Sequence, residues 1–260
     1  GTATRIRGRF EMRIHCLGTA GYHPNESRHT SCYFLPDAGI SLDAGTGVFR
    51  LPELIKTDSL NILLSHAHLD HTAGLTYLHN ILFKHPVNRV QIWGESEKLD
   101  AVQQCLFHPL VFPAKLEAQW NPIDETPEFK IGETQISWRP QDHPGGSVAY
   151  RLEWPNGKRL VYSTDTTGDT SPEYADWSHN ADLLMHECYF RNQTSDWAQK
   201  TGHSWTDRVT EIALMASPKK LLLTHVNPLE QSTDPVDSDL IQQQVNAEVL
   251  IATDGMAVDF

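Results

Sequence analysis

The chain has 260 residues, enough for one large domain or two small ones and for a substantial core. Hydrophobic residues make up 39% and charged residues 21%, the profile of a soluble globular protein in which disorder is not expected to dominate. The formal charge of -12 repels polyanions and anionic membrane surfaces, so neither a long nucleic acid nor a membrane is an expected partner, with the reservation that bound divalent cations add local positive charge the count omits.

Residues 1–11 precede a strand-like run and read as a leader or remnant outside the fold, which leaves 12–260 as one continuous domain. No stretch reaches the roughly 18 apolar residues of a membrane span, and the N-terminus lacks an apolar signal core, so a cytoplasmic location is expected. Cys16, Cys32, Cys105 and Cys188 form no Cys-x-x-Cys pair and sit among apolar neighbours, as buried free thiols do.

In chain order, Met12 to Leu17, Ser31 to Leu35 and Ile40 to Asp43 read as opening strands joined by hairpins. Phe49 to Ile55 reads as a short helix, Asn61 to Leu64 as a buried strand, and Ala73 to Phe83 as a helix with Leu75, Leu78, Ile81 and Leu82 on one face. Val90 to Trp93 is a strand, and Ser96 opens a helix running to Leu106. The Pro-rich stretch from His108 to Glu128 has no clean period and reads as a loop over the site. Thr134 to Trp138, Val148 to Trp154 and Leu160 to Tyr162 form a second set of strands, with Asn156-Gly157 as a hairpin turn. Leu183 to Met185 and Leu221 to Leu223 are strands on either side of a helix over Trp205 to Ala216. A helix over Asp237 to Val245 and strands at Val249 to Ile251 and Ala257 to Val258 close the chain. Two sheets inside and helices outside is the simplest α/β arrangement.

The strongest chemical signal is Ser65-His66-Ala67-His68-Leu69-Asp70-His71, directly after the strand that ends at Leu64. His66 and His68 can point the same way, while Asp70 and His71 lie further round and face a neighbouring position, which suits two adjacent metals. Imidazole and carboxylate ligands suit zinc, iron or manganese, and no thiolate stands nearby to close the site. Other apolar strands end in candidate ligands: Ile136 to Trp138 leads to His143, Leu160 to Tyr162 to Asp165, and Leu221 to Leu223 to His225. Taken singly, each is more often a capping or solvated residue; together, four strand ends on one rim fit a site carried by loops on a rigid scaffold.

This pattern resembles the metallo-β-lactamase fold superfamily, with its four-layer αββα sandwich and His-x-His-x-Asp-His motif. Within it, the chain is similar to the ribonuclease Z and phosphodiesterase branch through Leu17-Gly18-Thr19-Ala20-Gly21, Leu42-Asp43-Ala44-Gly45, the His143 segment running into Val148-Ala149-Tyr150-Arg151, His186-Glu187 and Thr201-Gly202-His203-Ser204. The resemblance implies that His66, His68 and His143 hold a first metal, that Asp70, His71 and His225 hold a second, and that Asp165 bridges them. It implies two divalent ions, zinc or manganese, a bridging hydroxide that Asp70 helps to orient, and His203 as the residue that contacts the scissile phosphate or protonates the leaving oxygen, with Glu187 as its carboxylate partner. His23 and Arg28 are weaker candidates for substrate contact.

In ribonuclease Z a long arm that grips transfer RNA lies between the third histidine and the bridging aspartate. Here only 22 positions separate His143 from Asp165, and a hairpin fills them, as in the phosphoribosyl cyclic phosphodiesterase. That enzyme's cysteine-rich zinc site has no counterpart here. The resemblance therefore implies a phosphodiesterase acting on a small diester, cyclic ones included. A carboxylic ester, lactone or thioester hydrolase on the same metals is the second reading, and a non-catalytic metal-binding accessory protein the third. Relatives often dimerise, which adds a second copy of the chain as an expected partner.

Overall fold

A computed structural model of the chain describes residues 11–260, so nearly all of the 1–11 leader assignment lies outside the described residues. The first sheet contains β1 (Arg13–Gly18), β2 (Cys32–Leu35), β3 (Ile40–Leu42), β4 (Ser59–Leu63), β5 (Arg89–Gly94), β6 (Gln119–Pro122) and β14 (Ala257–Asp259). The second contains β7 (Glu128–Ile131), β8 (Thr134–Gln141), β9 (Ser147–Glu153), β10 (Arg159–Ser163), β11 (Leu183–Glu187), β12 (Lys220–Thr224) and β13 (Glu248–Ile251). The orders are β14-β1-β2-β3-β4-β5-β6 and β13-β12-β11-β10-β9-β8-β7. β1, β2 and β3 are antiparallel neighbours, as expected of hairpins, whereas β3 to β6 run parallel.

Alternation along the strands explains the layers. On β10, Leu160 and Tyr162 point into the space between the sheets, where they meet Ile14, Tyr33 and Leu42 of the first sheet, while Val161 points outward. A strand apolar on both faces has to be covered on both. The first sheet is covered by α1 (Leu69–Thr72), α2 (Leu78–Lys84) and α3 (Ser96–Ala101), with Leu78, Ile81 and Leu99 packed on Leu60, Ile62 and Ile92. The second is covered by α4 (Pro172–Ser178) and α6 (Thr206–Ala216), with α5 (Ser195–Thr201) beside the ligand-bearing edge. On α6 the buried set Val209, Ile212, Ala213 and Ala216 recurs at helical spacing, and each large member contributes about 1.5–3 kcal/mol by leaving water. The result is the αββα sandwich that the resemblance implies.

Several expectations need correction. The helix over Phe49 to Ile55 is two 3-10 turns, Thr46–Arg50 and Pro52–Leu54, because Pro52 has no N–H to continue a helix. The helices over 73–83 and 96–106 each change winding, to a 3-10 stretch at Ala73–Tyr77 and a wider π turn at Val102–Leu106. The stretch from 108 to 128 does not cover the site. It carries the edge strand β6, and Phe112, Leu116 and Trp120 pack onto the outer core of the first sheet. Apolar anchors at those positions outweigh the lack of period. Cys105 is exposed on the π turn, while the other three thiols are buried and all four are free. α4 was not expected, although its start carries a helix signature: the Ser171 hydroxyl accepts from the Tyr174 N–H at 3.2 Å and Pro172 occupies the first turn. Among the described residues no helix is long and apolar enough to cross a membrane.

Candidate metal centre

The direction of the strands decides where the ligands meet. β8 and β10 are both antiparallel to β9, and β10, β11 and β12 are mutually parallel, so all four run the same way. Their carboxyl ends deliver His143, Asp165, Glu187 and His225 to one edge. β4 of the facing sheet brings the 66–71 segment to the same place. Cross-links between the sheets hold the two edges together: Val148 N–H donates to Ser65 O at 2.9 Å, and the Tyr150 hydroxyl donates to Leu64 O at 2.7 Å.

All seven residues proposed as ligands converge, in two sets. In the first, His68 Nδ1 lies 2.9 Å from His66 Nε2 and 3.3 Å from His143 Nε2, and Asp165 Oδ2 lies 3.5 and 3.4 Å from those two Nε2 atoms. In the second, His71 Nε2 lies 3.3 Å from His225 Nε2, 3.4 Å from Asp70 Oδ2 and 3.0 Å from Asp165 Oδ1. His225 Nε2 lies 3.2 Å from each of those carboxylate oxygens. Bonds of about 2.0–2.1 Å to a tetrahedral cation put neighbouring ligand atoms roughly 3.3 Å apart. Both sets therefore fit a divalent ion, and Asp165 offers one oxygen to each.

Their electrostatics point the same way. Burial holds His66 well below the ordinary histidine value and lowers His68 and His143 against the pull of Asp165, so these rings are neutral and free to ligate. Burial would lower His71 too, but Asp165, Asp70 and Asp43 together raise it well above the ordinary value. Burial would raise the carboxyls of Asp70 and Asp165, yet the surrounding histidines hold both below the carboxylate range. A pocket this negative and this dry attracts a dication.

Asp43 lies in the Leu42-Asp43-Ala44-Gly45 motif but was assigned no role from the sequence. It is fully buried and accepts four hydrogen bonds, from Ser65 N–H and Oγ, His71 Nδ1 and Tyr162 Oη, at 2.7–2.8 Å. It fixes the His71 tautomer directly and reaches His66 through Ser65 Oγ, which accepts from His66 Nδ1 at 3.0 Å. The signal was available, since β3 is one more apolar strand ending in a carboxylate. His143 is fixed by Gly202, whose carbonyl accepts from Nδ1 at 2.8 Å. Gly202 caps α5 at φ +82, and a Cβ there would collide with Pro144 and His143.

His203 lines the same cavity and donates from Nδ1 to Glu187 Oε1 at 2.8 Å. Glu187 is fully buried and also accepts from the backbone of Thr166 and Ser204. Burial would lower His203, but the charge and hydrogen bond of Glu187, with Asp165 and Asp70, raise it to about 9. The geometry thus brings His203 and Glu187 together beside the metal sets. His23 and Arg28 are not part of it: His23 bonds Pro24, and Arg28 is spent on Thr19 and Ala252. The residue of that loop that reaches the cavity is Tyr22, with Leu69, Pro144, Tyr189, Phe190, Trp197 and Thr201 around the rest of a space of about 810 Å³. Tyr22, Tyr189 and Phe190 stand outside the helices and Trp197 on the short helix α5, and none falls in a periodic pattern that would single it out.

The family model described as "Beta-lactamase superfamily domain" matches residues 30–226. Ribonuclease Z of Methanosarcina acetivorans is 35% identical over 306 positions, covering 95% of this chain and 98% of its own length. Among solved structures, the metallo-beta-lactamase fold protein YhfI of Bacillus subtilis superposes with a TM-score of 0.78 at 22% identity, covering 96% of this chain and all of its own. The human short-form tRNase Z does so at 0.74 and 20%, covering 95% and 98%. The relatives overturn one expectation. Proteins that align along nearly the whole chain are named as ribonucleases, so an acidic net charge is no ground for excluding a long nucleic acid as partner, nor for restricting the partner to a small molecule. The count failed because it averages over the surface, whereas Asp70 and Asp165 sit inside a site that dications neutralise.

Proposed function

We propose a function from one premise: the chain belongs to the beta-lactamase superfamily. It is a metal-dependent hydrolase, and in our reading the bond it cuts is a phosphoric diester of RNA, with two zinc ions as resident cofactors and manganese as the substitute. His66, His68 and His143 would hold the first ion, Asp70, His71 and His225 the second, and Asp165 both. Residues 12–260 form a single hydrolase domain in this reading. A cytoplasmic location goes with it, since the four cysteines are free, as in a reducing compartment.

Two divalent cations at such a site supply an activated water near neutral pH and stabilise charge on the phosphoryl oxygens. The chain's own contribution is to place and protonate. Asp43, Ser65 and Gly202 orient the imidazoles before any substrate arrives. Glu187 occupies Nδ1 of His203 and keeps the ring charged, which leaves the Nε2 proton to be given to the departing oxygen. Leu69 and Phe190 line the cavity with apolar surface and restrict water around the phosphate.

The observation that carries this reading is the joint placement of Asp165 between two tetrahedral sets and of a Glu187-charged His203 beside them. An acid that protonates an alkoxide serves either kind of ester, and the ribonuclease names of relatives aligned along nearly the whole chain are what favour the phosphodiester. The 306-position alignment is longer than this 260-residue chain, so the relative carries segments that are absent here, in agreement with the short span from His143 to Asp165. A strand would then be held at the mouth of the cavity, without an arm.

The test is turnover of bis(p-nitrophenyl) phosphate against p-nitrophenyl acetate, and of a 3′-extended RNA, by protein loaded with zinc or with manganese. Diester and RNA cleavage with little esterase activity is the expected result. Preference for the acetate makes the chain a carboxylic ester hydrolase, and two bound metals with no turnover of any of the three make it an accessory protein.

A further inference from the structure

Tyr22 does two things that do not need the same side chain. Its backbone N–H donates to Asp70 Oδ2 at 2.7 Å, and to do so the residue adopts φ +65, the left-handed region. Glycine makes that bond without the steric cost that a Cβ brings. The neighbour already shows the pressure for smallness: Gly21 sits so close to the His225 ring that any Cβ would strike it. Yet position 22 carries a large aromatic ring that is 76% exposed, packs only edge-on to His23 and lines the cavity. The fold gains nothing from that ring.

A second exposed aromatic stands at the other end of the centre. Trp197 is on α5, whose terminal Gly202 holds His143 of the first metal set, just as Tyr22 holds Asp70 of the second. Trp197 is 53% exposed and lines the cavity, and Lys200 Nζ lies over its ring at 5.1 Å from the centroid, bringing a cation to the rim. Flat aromatic faces with an adjacent cation are how proteins hold single-stranded nucleic acid without reading its sequence.

We propose that Tyr22 and Trp197 are stacking platforms for the nucleobases on either side of the phosphate held between Asp70 and His143. They make the cavity selective for a nucleotide diester over one lacking a base. This inference rests on the RNA phosphodiesterase reading and names the part of the substrate that the two rings grip.

The experiment uses the metal-loaded 260-residue chain and compares equilibrium binding of AMP with that of ribose 5-phosphate, in which a hydroxyl replaces the base. AMP binds about tenfold tighter to the wild type. AMP has one base and stacks on one ring at a time, so Tyr22→Ala and Trp197→Ala each remove only the share of that preference their own ring supplies, the double variant brings the ratio near one, and Tyr22→Phe preserves it, while affinity for ribose 5-phosphate stays constant throughout. A wild-type ratio near one, a ratio unmoved in the double variant, or loss of ribose 5-phosphate binding together with AMP each overturns the proposal. Turnover of bis(p-nitrophenyl) phosphate separates the two levels. Turnover without base preference removes only the platforms, and base preference without turnover removes the phosphodiesterase reading and leaves the platforms standing.

Discussion

The two halves of the metal centre are built from similar ligands and set into the protein differently. In the second half His71 and His225 are buried, His71 is clamped by Asp43, and Asp70 takes the Tyr22 amide. In the first half His66 and His143 are buried, but His68 is exposed on the turn before α1 and uses Nδ1, where His66 and His143 use Nε2. The difference tracks the scaffold. Asp43, Asp165 and His225 all leave strand ends at left-handed φ of 59, 48 and 53, a conformation costing of order 1–3 kcal/mol at each non-glycine residue that the surrounding sheet has to over-determine. His68 has no such support. A more tightly held half and a looser one thus stand side by side, and both open onto the same cavity.

The hardest blow to that comparison is Asp165→Ala, which removes the one ligand the halves share. Metal content should fall from two equivalents to less than one, and diester turnover to background. Retention of one full equivalent would show that the three remaining ligands of one half suffice without the shared carboxylate. Next in size is His203→Ala. Both ions should remain, and kcat should drop by about 10²- to 10⁴-fold, the usual worth of a positioned acid. Loss of metal instead would make His203 a ligand, a role that the close approach of Glu187, His203 and His225 makes worth measuring.

These unequal halves were not equally legible in the sequence. The seven residues proposed as ligands announce themselves because each follows an apolar strand, and strand ends are where a sandwich presents side chains. Asp43 obeys the same rule, but a single carboxylate after a three-residue strand carries no spacing signature. Gly202 and Tyr22 act through a carbonyl and an N–H, and backbone groups have no letter in a sequence. The layers were readable from alternation on strands such as β10. The segment from 108 to 128 was not, because its order comes from Phe112, Leu116 and Trp120 meeting residues distant in the chain. Net charge misled for the converse reason, by summing over positions that the fold separates.

Asp43→Asn sharpens the comparison. The carboxylate bonds His71 directly and His66 only through Ser65, so its neutralisation should weaken metal binding unevenly. A loss of about 10- to 100-fold is expected for one equivalent and a smaller one for the other, read by chelator competition. Equal losses would mean that Asp43 supports the fold of the rim and not one half of it.

The smallest effect expected is a displacement in pH. In the proposed reaction His203 is the acid, so it works while protonated, and turnover declines as pH rises through its own value. Glu187, Asp165 and Asp70 raise that value to about 9. Bound dications offset the two aspartates, which puts the basic limb of the loaded enzyme below that and leaves Glu187 to hold it above the ordinary histidine range. In Glu187→Gln the hydrogen bond can persist while the charge is gone, and the limb should move to lower pH with little change in the acidic limb or in metal content. Zinc-loaded pH–rate profiles of the two proteins decide it. A limb that stays in place would show that the proton is held by another group, and Glu187 would then serve only to pin the ring and the backbone of Thr166 and Ser204.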